Sequence, residues 1–287
     1  MVEQLILVIG SQGQLALSFK KICPNSTKFL SSQDLNLADT QNIYENLMAY
    51  KPSYIFNFAA YNHVDNAEHD EQNILINSSS VKIIAEYCKD KDIPLLHVST
   101  DYVFDGTQGN YLEDDLTNPI NEYGKAKLAG ESFIQLICKD YVIIRTAWLY
   151  SNGENNFLNK IQAQFLDQGN LKGAIDIIGS PTSSDSLAEG ILEVFKRLEK
   201  KSLKSDIFHF ANKGRATKYQ FIDAINILLS KKLGQEKKGI VHVKNIDFDL
   251  EAPRPYDTSL NVDKFEAEFN FMIPEWETEL SKIITEL

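Results

Sequence analysis

The sequence predicts an α/β fold: a Rossmann-type, doubly wound parallel sheet with a smaller interleaved substrate-binding lobe. Three observations predict it. Short apolar runs alternate with helical patterns over roughly the first 150 residues, as in a parallel sheet covered on both faces. The first run, Leu5-Ile-Leu-Val-Ile9, is continuous and meets a glycine-rich turn, Gly10-Ser-Gln-Gly13-Gln-Leu-Ala16. Another run ends in Ser99-Thr100-Asp101, and the next helical pattern opens with Tyr123-Gly-Lys-Ala-Lys127.

The elements follow in order. In the first turn, glycine stands where the chain bends tightly and where backbone approaches a pyrophosphate, with a helix N-terminus behind it. Ala16 is small enough for close packing of that helix on the sheet. A second strand, Thr27–Leu30, leads to a helix from about Gln41 that Asp39 or Thr40 could cap. Tyr54–Asn57 is the third strand, and the small residues of Phe58-Ala-Ala60 leave room for a ligand beside the backbone. Asp70 to Lys89 has helical spacing, with Asn77 its one notable polar residue. Asn77 is either a surface or capping amide, or one that reaches a cofactor or the neighbouring backbone. Pro94–Ser99 is the fourth strand, in which His97 alternates with apolar neighbours and reads as structural. A helix from Tyr123 to Ile137 and a strand from Tyr141 to Arg145 complete the alternation.

Beyond Thr146 the rhythm loosens. Helices are expected over Asn155–Gln168, Asp185–Leu198, after a Thr217 cap, and over Trp276–Leu287. Strands are expected at Ile175–Ile178, Ile207–Phe210 and Ile240–Ile246, with Lys231–Gly239 a solvated loop. Residues 1–150 are thus read as a dinucleotide-binding core, and 151–287 as mainly a substrate lobe with segments returning to the core.

Bulk properties narrow the function. The chain of 287 residues is long enough to bury a full core. A net charge of −11 without a basic stripe argues against nucleic-acid binding. Cys23, Cys88 and Cys138 are far apart, a reducing-compartment pattern in which Cys88 and Cys138 read as core thiols. Met1-Val-Glu-Gln runs straight into a strand with no cationic leader, and no apolar stretch is long enough to span a bilayer. A cytoplasmic enzyme is expected. No metal site is expected, since the histidines are scattered and no His-Glu-x-x-His or cysteine cluster occurs.

A tyrosine and a lysine four apart share one helix face. There an ammonium can favour the phenolate and lower the tyrosine pKa, while a hydroxyl from Ser99 or Thr100 holds a carbonyl oxygen against the phenol. Such a pair arises by chance in many helices. Its weight here comes from the glycine-rich turn in the same chain.

These motifs, with Asn57-Phe-Ala-Ala-Tyr-Asn-His-Val-Asp-Asn-Ala-Glu68, Ser99-Thr-Asp-Tyr-Val-Phe-Asp-Gly106, Arg145-Thr-Ala-Trp-Leu-Tyr150, Asn155-Asn-Phe157, Gly179-Ser-Pro-Thr182 and Arg254-Pro255, are familiar. The chain resembles the extended short-chain dehydrogenase/reductases, and within them the dTDP-4-dehydrorhamnose reductase family. The resemblance implies that Tyr123 donates a proton, that Lys127 holds the nicotinamide ribose and tunes Tyr123, and that Thr100 orients the ketone. It places Gly10, Gln12, Gly13, Gln14, Leu15, Asn36, Ala59, Ala60, Tyr61, Asn77 and Ser99, with Tyr123 and Lys127, around NADPH or NADH. It places Thr100, Asp101, Tyr102, Trp148, Asn156 and Arg254 around a dTDP-linked 4-keto-6-deoxy sugar, with Arg254 at the diphosphate or ribose. Neither nucleic acid nor membrane is an expected partner, and a homodimer is compatible with the resemblance.

Three positions depart from the family pattern: Asn36 replaces an aspartate, Ile177 a glutamine and Asn62 a threonine. The implied activity is reduction of the C4 ketone of dTDP-4-dehydro-L-rhamnose. Two rivals stay open: reduction of another such sugar, as to dTDP-6-deoxy-L-talose, and a non-catalytic role like the regulatory subunit of methionine adenosyltransferase.

Overall fold

Four consecutive apolar residues form β1 (Ile6–Ile9), and all four side chains are buried because both faces of the strand are covered. The structure, a computed structural model, describes residues 4–153, 156–167 and 169–287. After β1 come α1 (Gln14–Lys20), β2 (Thr27–Leu30), α2 (Ile43–Tyr50) and β3 (Tyr54–Asn57). A helical turn α3 (Gln72–Ile74) widens into a π-turn over Leu75–Ser79 and continues as α4 (Ser80–Lys91). Then follow β4 (Leu95–Thr100), α5 (Glu122–Ile137), β5 (Tyr141–Thr146), β6 (Leu149–Tyr150), α6 (Phe157–Leu166), β7 (Leu171–Ala174), β8 (Ile178–Gly179), β9 (Thr182–Ser183) and α7 (Ser184–Glu199). The chain closes with β10 (Asp206–His209), β11 (Ala216–Thr217), α8 (Lys218–Leu233), β12 (Ile240–Val243), α9 (Asp263–Phe269) and α10 (Trp276–Glu286).

The main sheet runs β2-β1-β3-β4-β5-β10, parallel throughout. Its order reverses between β1 and β3, so a crevice opens there outside the carboxyl ends of the strands. Successive side chains leave opposite faces. Ile6, Val8, Leu96, Val142 and Ile144 pack with Phe19 of α1 and with Leu187, Ile191 and Val194 of α7. Leu7, Ile9, Leu95 and Ile143 pack with Leu47 of α2, Val81 and Ile84 of α4, and Ile134 of α5. The sheet is thus sandwiched, as the apolar runs require. A third cluster joins Leu158 and Phe165 of α6, Phe221 and Ile225 of α8, and Trp276 and Leu280 of α10 around Tyr150 and Leu171. It forms the smaller lobe, while α7, β10 and α9 pack with the main sheet.

Several local expectations are corrected. The segment Ile175–Ile178 is not one strand: β7 ends at Ala174 and β8 begins at Ile178, so a bend separates them. Helix α8 continues through Leu233 and ends on Gly234 in the left-handed region, which brings Lys231 and Lys232 into its last turn. Neither Asp39 nor Thr40 caps α2. The cap position is Asn42, and Asp39 instead accepts a 2.7 Å hydrogen bond from the Asn42 side chain. Helix α9 and the two-residue strands carry no periodicity long enough to read. Asn155 and Gln168 lie outside the described residues. Thr217 does cap α8, in a reciprocal pair with Gln220. Among the described residues no helix is long and apolar enough to cross a membrane.

One buried ion pair ties α5 to β5. Arg145 donates from Nη2 to Glu131 at 2.7 Å, with side chains 3% and 0% exposed. Nε also donates to Glu131, Nη1 reaches the Glu113 carbonyl at 3.3 Å and lies 3.4 Å from His209 Nε2, and the Phe104 ring stacks 5.2 Å away. Removing one charge leaves the other buried and uncompensated. Glu131→Gln should therefore lower the unfolding free energy by about 3–5 kcal/mol, read as a drop in the urea midpoint with an unchanged slope. A loss below about 1 kcal/mol would show that the pair is not held as described.

Candidate active site

The crevice is a cleft of about 540 Å³ whose walls come from the carboxyl ends of β1 to β5. Gly10 ends β1 with φ +97°, and a Cβ there would lie 2.8 Å from the Ala59 nitrogen. Only glycine lets this turn lie against the end of β3. Gln12, Gly13, Gln14 and Leu15 continue the wall into α1, and Asn36, Ala59 and Ala60 face them. Ser31 and Ser32 close the far end. Asp34 does not line the cleft. Its carboxylate turns back to accept from the Ser31 backbone and hydroxyl at 2.8 and 2.7 Å, and these bonds lower its pKa.

At the other end stand Ser99, Thr100, Asp101 and Tyr102, which leave β4, with Tyr123 and Lys127 from the first turns of α5. Asn121 caps α5 by accepting from the Gly124 nitrogen at 2.8 Å, which fixes where the helix starts. Gly124 then fixes how closely it docks, because a Cβ there would overlap the Tyr102 carbonyl oxygen. The tyrosine thereby reaches Thr100.

Hydrogen-bond directions order this end. Thr100 Oγ1 donates to Asp101 at 3.1 Å and accepts from the Tyr102 nitrogen at 3.2 Å. Thr258 donates to the other Asp101 oxygen. Burial raises the Asp101 pKa to about 6, against the lowering effect of those two hydroxyls. Burial also pushes Tyr123 up to about 12, opposed by its bond to Thr100 and assisted by Asp101. The lowering expected from Lys127 is therefore corrected. Lys127 Nζ is held by the Val98 carbonyl at 2.7 Å and sits 3.2 Å from His97 Nε2, and its charge is not among the influences on the phenol. Burial lowers the lysine itself to about 8.

Four residues named from the sequence do not line the cleft. Asn77 is buried and grips the Tyr61 backbone, accepting from its nitrogen at 3.1 Å and donating to its carbonyl at 2.8 Å. Tyr61 itself turns its hydroxyl to Asp70 at 2.7 Å. Asn156 caps α6 and donates to the Ser151 and Gly153 carbonyls, and the Ser151 hydroxyl in turn meets Gln14 at 3.0 Å. Arg254 forms a 2.8 Å ion pair with Asp65. Of the three departures, Asn36 and Asn62 line the cleft, whereas Ile177 is buried outside it.

Trp148 does line the cleft, with φ +42°, and Lys218 stacks on its ring with Nζ 3.3 Å from the centroid. Burial draws Lys218 down to about 7, with Asp101 opposing and Arg254 assisting. No sequence signal marks Lys218, since it reads only as the first residue of a capped helix.

The residues fit a dinucleotide. Gly10 and Ala59 provide close backbone approach, and the buried hydroxyls of Ser99 and Thr146 face the cleft without a protein partner. Among the described residues no group of three or more metal-ligating side chains occurs. Because Gly124 sets the approach of Tyr123 to Thr100, Gly124→Ala should lower carbonyl-reducing turnover by about tenfold to a hundredfold at saturating cofactor. Cofactor affinity should change little, and full turnover in the alanine variant would show that this close contact does not set the geometry.

The RmlD substrate binding domain family matches residues 4–287. The chain is 30% identical to a dTDP-4-dehydrorhamnose reductase of Escherichia coli (strain K12), over 98% of this chain and 97% of that protein. It is 29% identical to a reductase of the same name from Sinorhizobium fredii, over 97% and 96%. A crystal structure of dTDP-4-dehydrorhamnose reductase from Bacillus anthracis in complex with NADP superposes with a TM-score of 0.89 at 25% identity, covering 99% of each chain. With matches that run end to end and a Tyr123/Lys127/Thr100 site at the crevice of the sheet, the chain belongs to the RmlD family, that of the dTDP-4-dehydrorhamnose reductases.

Proposed function

We propose that the chain reduces the C4 ketone of dTDP-4-dehydro-L-rhamnose to give dTDP-L-rhamnose, using NADPH or NADH. The observation that carries this reading is that Tyr123, Lys127 and Thr100 line one end of a dinucleotide-sized cleft at the carboxyl end of β4. When bound, the reduced nicotinamide supplies the hydride. Every other part is played by the chain. The phenol of Tyr123 stays protonated at neutral pH because burial raises its pKa, which is the state a proton donor to the ketone oxygen needs. Thr100, whose hydroxyl donates to Asp101, would turn that single hydrogen to the ketone oxygen beside the phenol, while Thr258 still donates to Asp101. Lys127 reaches the nicotinamide ribose.

Gly10, Gln12, Gly13, Gln14, Leu15, Asn36, Ala59, Ala60 and Ser99 would touch the cofactor directly. Asn77 and Tyr61 act behind them by shaping the loop after β3, and Asn156 acts through Ser151 and Gln14. Trp148, Tyr102 and Asp101 would face the sugar. Arg254 would meet the diphosphate by exchanging or sharing Asp65, a swap that suits a guanidinium because it forks onto phosphate oxygens as readily as onto a carboxylate. Residues 1–150 act as the nucleotide core and 151–287 mainly as the substrate lobe, with α7 and β10 returned to the core. A cytoplasmic enzyme, active as a homodimer, fits this reading.

The direct test supplies dTDP-4-keto-6-deoxyglucose, a 3,5-epimerase and each reduced cofactor, with the product sugar identified by NMR. The rhamnose configuration is expected. The talose configuration, or no turnover, would overturn the reading. Tyr123→Phe should cut turnover about a hundredfold or more with cofactor binding intact. Lys127→Met should weaken cofactor binding as well as turnover, and an unchanged cofactor Kd would remove its ribose role.

Cofactor choice follows from the far end of the cleft. Strong NAD preference rests on a carboxylate at the ribose hydroxyls. Here Ser31, Ser32 and Asn36 line that end, and Asp34 is bound to Ser31 outside it. No arginine precedes Arg145 to grip a 2′-phosphate. The ratio of kcat/KM for NADPH and NADH should stay within about tenfold of one, since neither charge is built in. A ratio beyond about a hundred would mean that other residues hold the adenosine ribose.

A further inference from the structure

His97 lies in the middle of β4, fully buried, and each ring nitrogen has one polar neighbour. Nδ1 is 3.2 Å from Asn57 Nδ2, and Nε2 is 3.2 Å from Lys127 Nζ. A neutral imidazole carries one hydrogen and one lone pair, so one contact is donated and the other accepted. Asn57 decides which. Its Oδ1 accepts from the Ala59 backbone N–H at 3.1 Å, and a backbone amide can only donate. The amide nitrogen of Asn57 therefore faces His97 and donates to Nδ1. The ring hydrogen is then on Nε2, aimed at Lys127.

An ammonium has three donors and no lone pair, so a charged Lys127 would meet that N–H donor to donor. A neutral amine accepts from Nε2 and still donates to the Val98 carbonyl 2.7 Å away. The reverse arrangement needs a flipped Asn57, which would leave the Ala59 N–H facing an amide nitrogen. We propose that the Ala59–Asn57–His97 donor chain stabilises the neutral amine of Lys127 in the free protein, which makes His97 a positioning residue for the lysine's proton. Lys127 is then a group that accepts and returns a proton near neutral pH, not a fixed charge.

The neighbouring groups are consistent. Burial and the lysine beside it hold the His97 ring far below its usual pKa, so it stays neutral. Burial lowers Lys127, and Glu131 one turn along α5 opposes this while paired to Arg145 of β5. Tyr123 on the same helix is uncharged, and Asp101 at the end of β4 is engaged by two hydroxyls. The segment on the other side of α5 brings the amides of Asn73 and Asn77.

The test is NMR of the free full-length chain, which does not depend on the reaction proposed above. Long-range 15N spectra should show His97 protonated at Nε2, and a 13C titration of lysine side chains should give Lys127 a midpoint at or below about 8. In His97→Gln the amide oxygen can accept from an ammonium, so the Lys127 midpoint should rise by about one unit or more. An Nδ1–H tautomer, or an unmoved midpoint in a folded glutamine variant, would overturn the proposal. If that variant does not fold, the tautomer in the unmutated chain decides.

Discussion

The site depends on how closely α5 sits on the end of β4. Two contacts hold it: the approach that Gly124 allows against the Tyr102 carbonyl, and the 2.7 Å bond from Lys127 to the Val98 carbonyl. One is a steric limit and the other a buried charge-capable bond, and together they fix the helix in two directions. Tyr123, directly before Gly124 and one turn before Lys127, has little freedom in where its hydroxyl falls. The same docking repeats at Gly130, where a Cβ would lie 2.5 Å from the Asn77 carbonyl oxygen. Helix α5 is thus clamped along its length, and the π-turn that carries Asn77 is the counterpart of that clamp.

Burying polar groups at this density requires every donor to have its acceptor. The protein meets the requirement with chains, not isolated pairs. Thr258 and Thr100 converge on Asp101, Ala59 leads through Asn57 and His97 to Lys127, and Glu131 takes the Arg145 guanidinium. Each chain begins in a loop at the crevice or in the second half of the sequence and ends beside the Tyr123 helix. Ser99 and Thr146 stand apart, buried hydroxyls that face the cleft without protein partners. Among the described residues Thr27 Oγ1 and Arg197 Nε also lack a partner, but of these four groups only Ser99 and Thr146 line the cleft.

Much of this was legible in the sequence. The strands of the main sheet, being apolar on both faces, stand out as continuous runs. Gly10 and the Tyr123/Lys127 spacing mark the two ends of the cleft. What could not be read were directions and distant partners. Spacing puts Lys127 near Tyr123 but cannot show that the amine is bonded to the Val98 carbonyl and meets His97. His97 looks like an ordinary strand histidine because its partners, Asn57 and Lys127, lie 40 and 30 residues away in sequence. For Asn77 the sequence leaves a neighbouring backbone as one open alternative, and only the structure identifies it as that of Tyr61, while nothing marks Lys218 as stacking on Trp148. Short strands such as β8 and β9 are set by tertiary pairing and leave no period to detect.

The charge distribution completes the account. The chain carries −11 overall, yet an anionic nucleotide sugar would meet Arg254, Lys218 and Lys127 near one end of the crevice. Local arrangement outweighs the total here because buried groups are poorly screened while surface carboxylates are screened within about 8–10 Å. The three cations are not equivalent. Arg254 is paired with Asp65, whereas burial lowers the two lysines to about 7 and about 8. A ligand phosphate near these amines would favour their protonated forms and compete with Asp65 for the guanidinium. Ligand arrival would therefore strengthen a positive field that the two amines already supply in part at neutral pH. The site thus joins a guanidinium already paired with Asp65 to two amines whose protonation burial makes sensitive to a neighbouring anion.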